Sequence, residues 1–220
     1  MTAPVRRDAP RPAGPRHDGP WLWPGTAGGP GRRPAGARRP GLPEAVLFDR
    51  DGTLVVDVPY NGDPERVEAV PTARRALRLL RRSGIPVGVV SNQSGVGRGL
   101  LTRRQVEAVA ARVDALLGPF AVWAVCPHRP EDGCGCRKPA PGLVLAACAA
   151  LGAAPRHTVV IGDIGADVSA ARRAGATGLL VPTPVTRAEE VRDAAGHTAA
   201  DLLAAVRLAL TPRHPDGAPW

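Results

Sequence analysis

Residues 45–54 read Ala-Val-Leu-Phe-Asp-Arg-Asp-Gly-Thr-Leu, a short apolar run that ends in two acidic residues and a glycine. The run is long enough for one buried strand, and Gly52 lets the chain turn sharply after it. Asp49 and Asp51 stand two residues apart at the end of this strand. They can share one cation and one substrate, so that one attacks while the other handles protons. Taken alone, the stretch is also compatible with a solvated Asp-Gly turn.

Apolar runs and helical stretches alternate through residues 44–210. Apolar runs that are typical of buried strands occur at 45–49, 85–90, 121–126, 158–161 and 177–181. Helical spacing of apolar residues predicts helices at 72–83, 102–117, 141–151, 166–174 and 199–210, with Thr102 and Thr198 as N-caps. This alternation predicts an α/β fold with a doubly wound parallel sheet. In such sheets ligands bind outside the carboxyl ends of the strands, so the residues that follow each strand are the candidates for chemistry.

Two further strand ends carry polar residues. Residues 91–99, Ser-Asn-Gln-Ser-Gly-Val-Gly-Arg-Gly, offer a hydroxyl, an amide and exposed glycine backbone, which suit phosphate oxygens, although the stretch alone is equally an ordinary polar loop. After the run at 158–161, Asp163 is placed to complete an oxygen shell for Mg²⁺, which is a hard cation. Asp167 either supports Asp163 or caps the following helix.

The segment after the run at 121–126 holds a compact set of metal ligands. Cys126, His128, Cys134 and Cys136 lie within eleven residues and make a complete tetrahedral zinc set. Since four protein ligands leave no position for water, the predicted Zn²⁺ is structural. It would pin a loop that leads directly into Arg137 and Lys138, which is the single lysine of the chain. Cys148 falls on an apolar helix and is predicted to belong to the core.

The ends of the chain differ from its middle in composition. The formal net charge is +9, from 29 basic and 20 acidic residues, and residues 1–43 contain eight of the arginines and two aspartates. This segment is rich in Pro, Gly and Ala without apolar periodicity, which predicts a disordered basic arm. It would act either as a passive extension or as an electrostatic tether. Residues 211–220 are predicted to be a loose C-terminal tail, which leaves 44–210 as the folded domain.

The order of acid pair, hydroxyl, lysine and acid, each after a strand of one sheet, resembles the haloacid dehalogenase superfamily of phosphatases. The resemblance spans roughly residues 44–185 and implies a Rossmann-like sheet. The zinc loop narrows it to a capless subgroup that holds D-glycero-D-manno-heptose 1,7-bisphosphate phosphatases and histidinol-phosphate phosphatases. The resemblance therefore implies a Mg²⁺-dependent phosphomonoester hydrolase that acts through an aspartyl-phosphate.

The same resemblance implies a role for each site residue. Asp49 would be the nucleophile, Asp51 the general acid and base, and Ser91 and Lys138 the residues that stabilise the transferring phosphoryl group. Mg²⁺ would be held by Asp49, the main-chain carbonyl of Asp51, and Asp163. The expected substrate contacts are Asp57, Tyr60, Asn92, Gln93, Ser94 and Arg137. The chemistry agrees, because a loose anionic transition state is stabilised by fixed cations and hydrogen-bond donors.

The two subgroups differ in their implied substrate. Residues 92–99 and the stretch 136–142, Cys-Arg-Lys-Pro-Ala-Pro-Gly, are similar to the heptose enzymes, which predicts removal of the 7-phosphate of heptose 1,7-bisphosphate. The five-residue gap inside the zinc loop is similar to the histidinol-phosphate enzymes, so histidinol phosphate is the alternative. Val55 and Ile164 depart from the heptose pattern, which often has Asn and Lys at these positions.

The sequence also leaves functions of other classes to consider. A nucleic-acid 3′-phosphatase or binding module that uses the basic arm is the alternative from another class, but the arm has only Trp21 and Trp23 as aromatic residues. A catalytically inactive, zinc-stabilised interaction domain is disfavoured by the complete set of acids and lysine. The absence of a long apolar stretch or a signal peptide predicts a cytoplasmic protein. We expect a monomer that binds a small phosphorylated substrate and neither a membrane nor nucleic acid.

Overall fold

The computed structural model describes residues 19–25 and 41–212 of the chain. Within them, six strands form one sheet: β1 (Trp21–Trp23), β2 (Ala45–Phe48), β3 (Val87–Asn92), β4 (Val122–Cys126), β5 (Thr158–Gly162) and β6 (Thr177–Leu180). The α-helices of the described residues are α1 (Ala73–Arg82), α2 (Ser94–Gly97), α3 (Arg103–Leu117), α4 (Gly142–Leu151), α5 (Gly165–Arg173), α6 (Ala188–Asp193) and α7 (Leu202–Leu210). Short 3-10 turns lie at Pro64–Arg66, Pro130–Asp132 and Pro155–His157.

The strand order in the sheet is β1-β4-β3-β2-β5-β6. Neighbouring strands are parallel except β1, which runs antiparallel to β4. The predicted doubly wound α/β fold is therefore confirmed. The order reverses at β2, whose neighbours are β3 on one side and β5 on the other. The carboxyl ends of β2, β3, β4 and β5 consequently meet at one edge, at the switch point where such sheets bind ligands.

The sheet is buried on both faces, which explains why its strands are continuous apolar runs. All four residues of β2 have no exposed surface. Successive side chains enter different cores: Val46 and Phe48 join the cluster that includes α1, α3 and α7, whereas Leu47 joins the cluster that includes α4 and α5. Helices on both faces hold the central strands, and therefore the residues that follow them, in fixed positions.

Strand β1 corrects the prediction that residues 1–43 form a disordered arm. Trp21 to Trp23 pair in antiparallel register with Val125 to Trp123 of β4. The Trp23 indole stacks on Trp123 with ring centroids 6.1 Å apart and ring planes 2° from parallel. The arginine Arg103 lies 5.0 Å above the Trp21 ring. The physical reason is that this Trp-Leu-Trp stretch carries enough apolar surface to cover the edge of β4. Residues 1–18, 26–40 and 213–220 lie outside the described residues.

The helices agree with their predicted positions apart from details at their ends. The Thr102 side chain caps α3 by accepting a hydrogen bond from the Gln105 N–H. The last helix begins later than predicted, and its cap is Asp201, whose Oδ1 accepts from the Ala204 N–H over 2.7 Å. Helices α2 and α6 were not predicted, because four and six residues are too few for a periodic apolar face to stand out. Across the described residues, every helix is too short or too polar to cross a bilayer.

Candidate active site and metal centres

The carboxyl edge of the sheet brings four sequence-predicted residues together. Asp49 follows β2, Ser91 lies near the end of β3, Lys138 closes the loop after β4, and Asp163 follows β5. All four are buried, with between 1% and 8% of their surface exposed. Residues that are far apart in the chain thus form one small polar cluster within an apolar surrounding.

Lys138 lies at the centre of this cluster. Its Nζ donates to the Val90 carbonyl over 2.9 Å and lies 2.7 Å from Asp49 Oδ1 and 2.5 Å from Asp167 Oδ1. An ammonium has three hydrogens, which are enough to direct one toward each of these three oxygens. Burial disfavours the charged ammonium, but the Asp167 and Asp49 carboxylates outweigh burial and hold the pKa of Lys138 above its usual value. Lys138 is therefore a fixed cation at the edge of the sheet.

The sequence left two interpretations of Asp167 open, and the structure supports both. The side chain is fully buried, and it pairs with Lys138 through Oδ1. Its other oxygen, Oδ2, accepts a hydrogen bond from the Ile164 N–H over 3.3 Å at the start of α5. Asp167 therefore caps the helix with one oxygen and supports the polar cluster with the other.

The carboxylates are arranged to bind a cation. One oxygen from each of Asp49, Asp163 and Asp167 can be chosen so that all three lie within 4.8 Å of one another. Burial raises the pKa of Asp49 to about 8; Lys138 opposes the rise, and Asp167, Asp163 and Asp51 add to it. Burial together with Asp167 likewise raises the pKa of Asp163 to about 7. Such a cluster favours either protons or a hard cation that offsets the repulsion among its acids.

Two glycines allow this crowding. Gly52 has φ of +74°, and a Cβ there would lie 2.3 Å from Asp163 Oδ2. A Cβ on Gly162 would lie 2.2 Å from the Asp167 carboxyl carbon. Both contacts are too close for any side chain, so glycine is required where Asp163 and Asp167 approach the backbone.

Asp51 lies apart from the cation cluster and is held by a different group of donors. Arg50 Nε donates to Asp51 Oδ1 over 2.9 Å and to Oδ2 over 3.0 Å, and an Arg50 terminal nitrogen lies 2.8 Å from Oδ2. Gln93 Nε2 donates to Asp51 Oδ2 over 3.0 Å and to Ser91 Oγ over 2.9 Å. Arg50 and Gln93 are buried, whereas a quarter of the Asp51 side chain is exposed. The Asp51 carboxylate is therefore partly exposed, while the two side chains that hold it are buried.

The expected substrate contacts divide into two groups. Asn92 and Gln93 bind other site residues: the Asn92 amide accepts from the Lys138 N–H and donates to the Lys138 carbonyl, both over 3.1 Å. Asp57 and Tyr60 are exposed at the rim, and Tyr60 has φ of +50°, which is unusual for a residue with a side chain. Burial, and next the charge of Asp51, raise the pKa of Asp57, which places Asp57 near the acid pair.

The remaining two expected contacts, Ser94 and Arg137, are partly buried. Ser94 begins α2 directly after the polar residues that end β3. Arg137 Nη1 is buried and has no hydrogen-bond partner among the described residues. A buried guanidinium nitrogen without a partner is a donor that is available to an anion.

The four zinc candidates converge after β4. Among their ligand atoms, Cys126 Sγ lies 3.3 Å from Cys136 Sγ and 3.6 Å from Cys134 Sγ, and His128 Nδ1 lies 3.2 Å from Cys136 Sγ. A tetrahedral ion with Zn–S bonds of about 2.3 Å would set neighbouring sulfurs about 3.8 Å apart, so the arrangement is close to that of a site for one Zn²⁺. The thiols are free, and a hydrogen bond from Cys136 lowers the pKa of Cys126 to about 5. Cys148 is buried on α4, as predicted.

Sequence reasoning missed three residues that support the site. Arg50 was visible only as the residue between two acids, and nothing in the sequence indicates where its side chain turns. Thr53 Oγ1 donates to Asp163 Oδ1 over 3.4 Å, and Thr186 Oγ1 donates to the Asp163 carbonyl over 2.7 Å. Thr186 lies in the loop after β6, so only the folded sheet brings it to Asp163.

Comparisons with known proteins agree with this geometry. A family model described as HAD-hydrolase-like matches residues 135–206. A D-glycero-β-D-manno-heptose-1,7-bisphosphate 7-phosphatase of Mesorhizobium japonicum is 38% identical over 154 residues, which are 64% of this chain and 70% of that relative. The protein of the same name from Escherichia coli K12 is 34% identical over 178 residues, which are 74% of this chain and 93% of that relative.

A solved structure of a protein with the same type of name is also similar to this chain. The D,D-heptose 1,7-bisphosphate phosphatase of B. bronchiseptica, in complex with magnesium and phosphate, is similar with a TM-score of 0.65 at 27% sequence identity. The similarity covers 75% of this chain and 97% of that chain.

Proposed function

The chain belongs to the D-glycero-β-D-manno-heptose-1,7-bisphosphate 7-phosphatase family of HAD-like phosphatases, and we propose that it removes the 7-phosphate of D-glycero-D-manno-heptose 1,7-bisphosphate through an aspartyl-phosphate on Asp49. The observation that carries the proposal is the contact of Lys138 Nζ with Asp49 Oδ1 at 2.7 Å. A phosphoryl group attacked by Asp49 would bring its negatively charged oxygens close to this carboxylate. The Lys138 ammonium, fixed beside the same carboxylate, would then contact and stabilise those oxygens.

Mg²⁺ is the proposed catalytic cation. Four carboxylates face two cationic side chains at the site: Asp49, Asp51, Asp163 and Asp167 against Arg50 and Lys138. Fully ionised, the group has two uncompensated negative charges, which one divalent cation would balance. Asp49, Asp163 and the main-chain carbonyl of Asp51 would hold it, and when bound it would neutralise the phosphate and keep Asp49 ionised.

The residues of the chain then divide the reaction into two steps. An Asp49 carboxylate oxygen attacks phosphorus, the bond from phosphorus to the sugar oxygen breaks, and a proton from Asp51 converts the leaving alkoxide to the sugar alcohol. Water next attacks the phosphorus of the aspartyl-phosphate, Asp51 takes the proton of that water, and the bond to Asp49 breaks to release phosphate. Ser91 and Lys138 would contact the transferring phosphoryl oxygens throughout.

Substrate recognition is assigned to the rim of the site. The unpartnered Nη1 of Arg137 is the proposed donor to an anionic group of the substrate. Asp57 and Tyr60 are exposed and would contact sugar hydroxyls. The Tyr60 ring lies close to Gly95, so Ser94 at the start of α2 belongs to the same part of the rim. The structure gives Asn92 and Gln93 contacts with Lys138 and Asp51, so we propose that they act on substrate chiefly by holding these two residues.

Zn²⁺ is the proposed occupant of the four-residue cluster after β4. With two of its thiols buried and four protein ligands in contact range, the site would be structural. Its task would be to fix the loop that delivers Arg137 and Lys138. The end of the domain at residue 210, the monomeric state and the cytoplasmic location stay predictions.

The substrate proposal is tested by measuring phosphate release from heptose 1,7-bisphosphate and from histidinol phosphate with Mg²⁺-loaded protein. We expect turnover of the heptose bisphosphate, and phosphorus NMR of the product should show that the 1-phosphate remains. Preferential turnover of histidinol phosphate, or loss of the 1-phosphate first, would contradict the proposal.

A further inference from the structure

The side chain of Asp51 stands outside the group of carboxylates that could hold a cation. It is two residues from Asp49 and carries the same charge, yet the carboxylates that gather for a cation within the described residues are those of Asp49, Asp163 and Asp167. A flexible carboxylate next to a divalent cation would be expected to turn toward it. Something must therefore hold the Asp51 side chain in another direction.

The contacts of Arg50 provide that restraint. Its side chain is 3% exposed and reaches Asp51 from the interior, while the Asp51 side chain is 25% exposed. The Arg50 main chain is fixed as well, because its carbonyl accepts hydrogen bonds from the Leu54 N–H over 2.9 Å and the Val55 N–H over 3.1 Å. A planar guanidinium on a fixed backbone holds a carboxylate in one orientation through a two-point contact.

The donors around Asp51 are distributed unequally between its two oxygens. Oδ2 receives Arg50 Nε at 3.0 Å, the Arg50 terminal nitrogen at 2.8 Å and Gln93 Nε2 at 3.0 Å. Oδ1 receives only Arg50 Nε, at 2.9 Å, among the donors found in the described residues. Since a carboxylate oxygen has two lone pairs, Oδ1 retains one for another partner.

We propose that Arg50 is a positioning residue that turns the Asp51 carboxylate away from the cation cluster and leaves Oδ1 as the atom that carries the transferred proton. Gln93 completes this arrangement and links it to the phosphate site through Ser91 Oγ. The inference rests on the proposed function, since it assigns Arg50 a task within that reaction. It goes beyond that function by explaining how one of two neighbouring aspartates is kept for proton transfer.

Leaving-group chemistry separates positioning from a merely structural role. A sugar alkoxide is a strong base and needs a proton to leave, whereas 4-nitrophenolate is a weak base and leaves without one. Rapid-quench measurement of aspartyl-phosphate formation with heptose bisphosphate and with 4-nitrophenyl phosphate therefore reports on Asp51 as an acid. For Arg50→Met we expect a loss of about 10- to 100-fold with the sugar and less than about 3-fold with the nitrophenyl ester.

A double-mutant cycle with Asp51→Asn gives the second readout. If Arg50 acts through Asp51, adding Arg50→Met to Asp51→Asn should change the rate with the sugar substrate by less than about 3-fold. Equal losses on the two substrates, or a loss from Arg50→Met that persists in the Asp51→Asn protein, would overturn the inference. No loss with the sugar substrate in the single variant would do the same.

Two further variants serve as a conservative substitution and as a control. Arg50→Lys keeps the charge but loses the fork, so it should show a smaller loss with the same preference for the sugar substrate, and it serves if Arg50→Met does not fold. Arg78→Met, on the exposed face of α1, is the matched control and should leave both rates unchanged. If wild-type protein fails to hydrolyse heptose bisphosphate, the proposed function fails, and the comparison is made with whichever alkyl phosphate it does hydrolyse.

Discussion

Lys138 joins the proposed nucleophile to the rest of the site, because its ammonium lies within 2.9 Å of the Val90 carbonyl, Asp49 and Asp167. Replacement by Met would keep much of the side-chain volume and remove the charge. We predict that Lys138→Met lowers kcat for phosphate release by about 10²- to 10³-fold, the usual effect of losing one fixed donor to a developing negative charge. A kcat within a few-fold of wild type would show that Lys138 does not stabilise the phosphoryl group.

The raised pKa values of two acids make stability depend on pH in the magnesium-free protein. Burial raises the pKa of Asp49 to about 8 and that of Asp163 to about 7, from an ordinary value of 3.8. The folded state therefore binds more protons than the unfolded chain between about pH 4 and pH 8. The contribution of each acid is largest below pH 4 and is lost as the pH rises, at about 1.4 kcal/mol per pH unit within its window.

Urea unfolding at several pH values without Mg²⁺ tests this. We expect Asp49→Asn to be increasingly more stable than wild type as the pH rises from about 4 to about 8. Added Mg²⁺ should stabilise wild type most at the upper end, where protons no longer compete. A stability difference between the two proteins that is constant with pH would contradict the assignment.

The sequence predicted individual site residues only where a residue's position after a strand indicates its place in the site. Asp49, Asp163 and Lys138 were predicted because each follows an apolar run of a parallel sheet. The directions of side chains were not predictable: Arg50 turns back to Asp51, and the Asn92 amide turns to the Lys138 backbone. These directions depend on what the folded chain places beside each residue.

Among the elements, the loop after β4 connects the zinc candidates to Lys138, the proposed phosphoryl-stabilising residue. The ligands are Cys126, His128, Cys134 and Cys136, and Lys138 follows two residues later. We predict that Cys134→Ser lowers bound zinc, measured by elemental analysis, and lowers kcat by about tenfold or more, since support for a catalytic group is typically worth that much. Magnesium affinity should change little, because Asp49 and Asp163 lie on other strand ends.

Cys148→Ser is the matched control for this experiment. Cys148 is also buried, but it lies on α4 with its sulfur 3.5 Å from Thr158 Oγ1, away from the zinc candidates. It should keep zinc and turnover. Full activity in a zinc-free Cys134→Ser protein would remove the proposed link between zinc and Lys138.

At the scale of the whole molecule, β1 closes an edge of the sheet that would otherwise be open. Trp23 stacks on Trp123, which also meets Phe120 edge to face at 5.7 Å. We predict that Trp23→Ala lowers the free energy of unfolding by about 1–3 kcal/mol, from lost burial and ring contact. The comparison is Leu22→Ala, whose side chain is 45% exposed on the same strand and should cost less than about 0.5 kcal/mol.

Urea unfolding followed by circular dichroism measures both variants, and turnover below the unfolding range should be unchanged in each. Equal destabilisation by the two substitutions would mean that the strand contributes through its backbone pairing alone. Loss of turnover in folded Trp23→Ala protein would give β1 a role at the site that its position at the sheet edge does not provide.

The sheet as a whole was predictable from local patterns, whereas its extra edge strand was not. Each parallel strand is an apolar run beside a helix, so a short window of sequence contains its signal. Trp21 to Trp23 are three residues among Pro, Gly and Arg, and their partners lie about a hundred positions later at Trp123 to Val125. Pairing over that distance becomes visible only when β4 is in place.

The proposed mechanism is tested most sharply by identifying the residue that becomes phosphorylated during turnover. Mg²⁺-loaded protein is mixed with heptose 1,7-bisphosphate, quenched in acid within one turnover, digested and examined by mass spectrometry. We expect a phosphoryl group on the peptide that contains Asp49, and we expect neither that adduct nor turnover in Asp49→Asn. Turnover that proceeds without an adduct on Asp49, or that survives in Asp49→Asn, would contradict it.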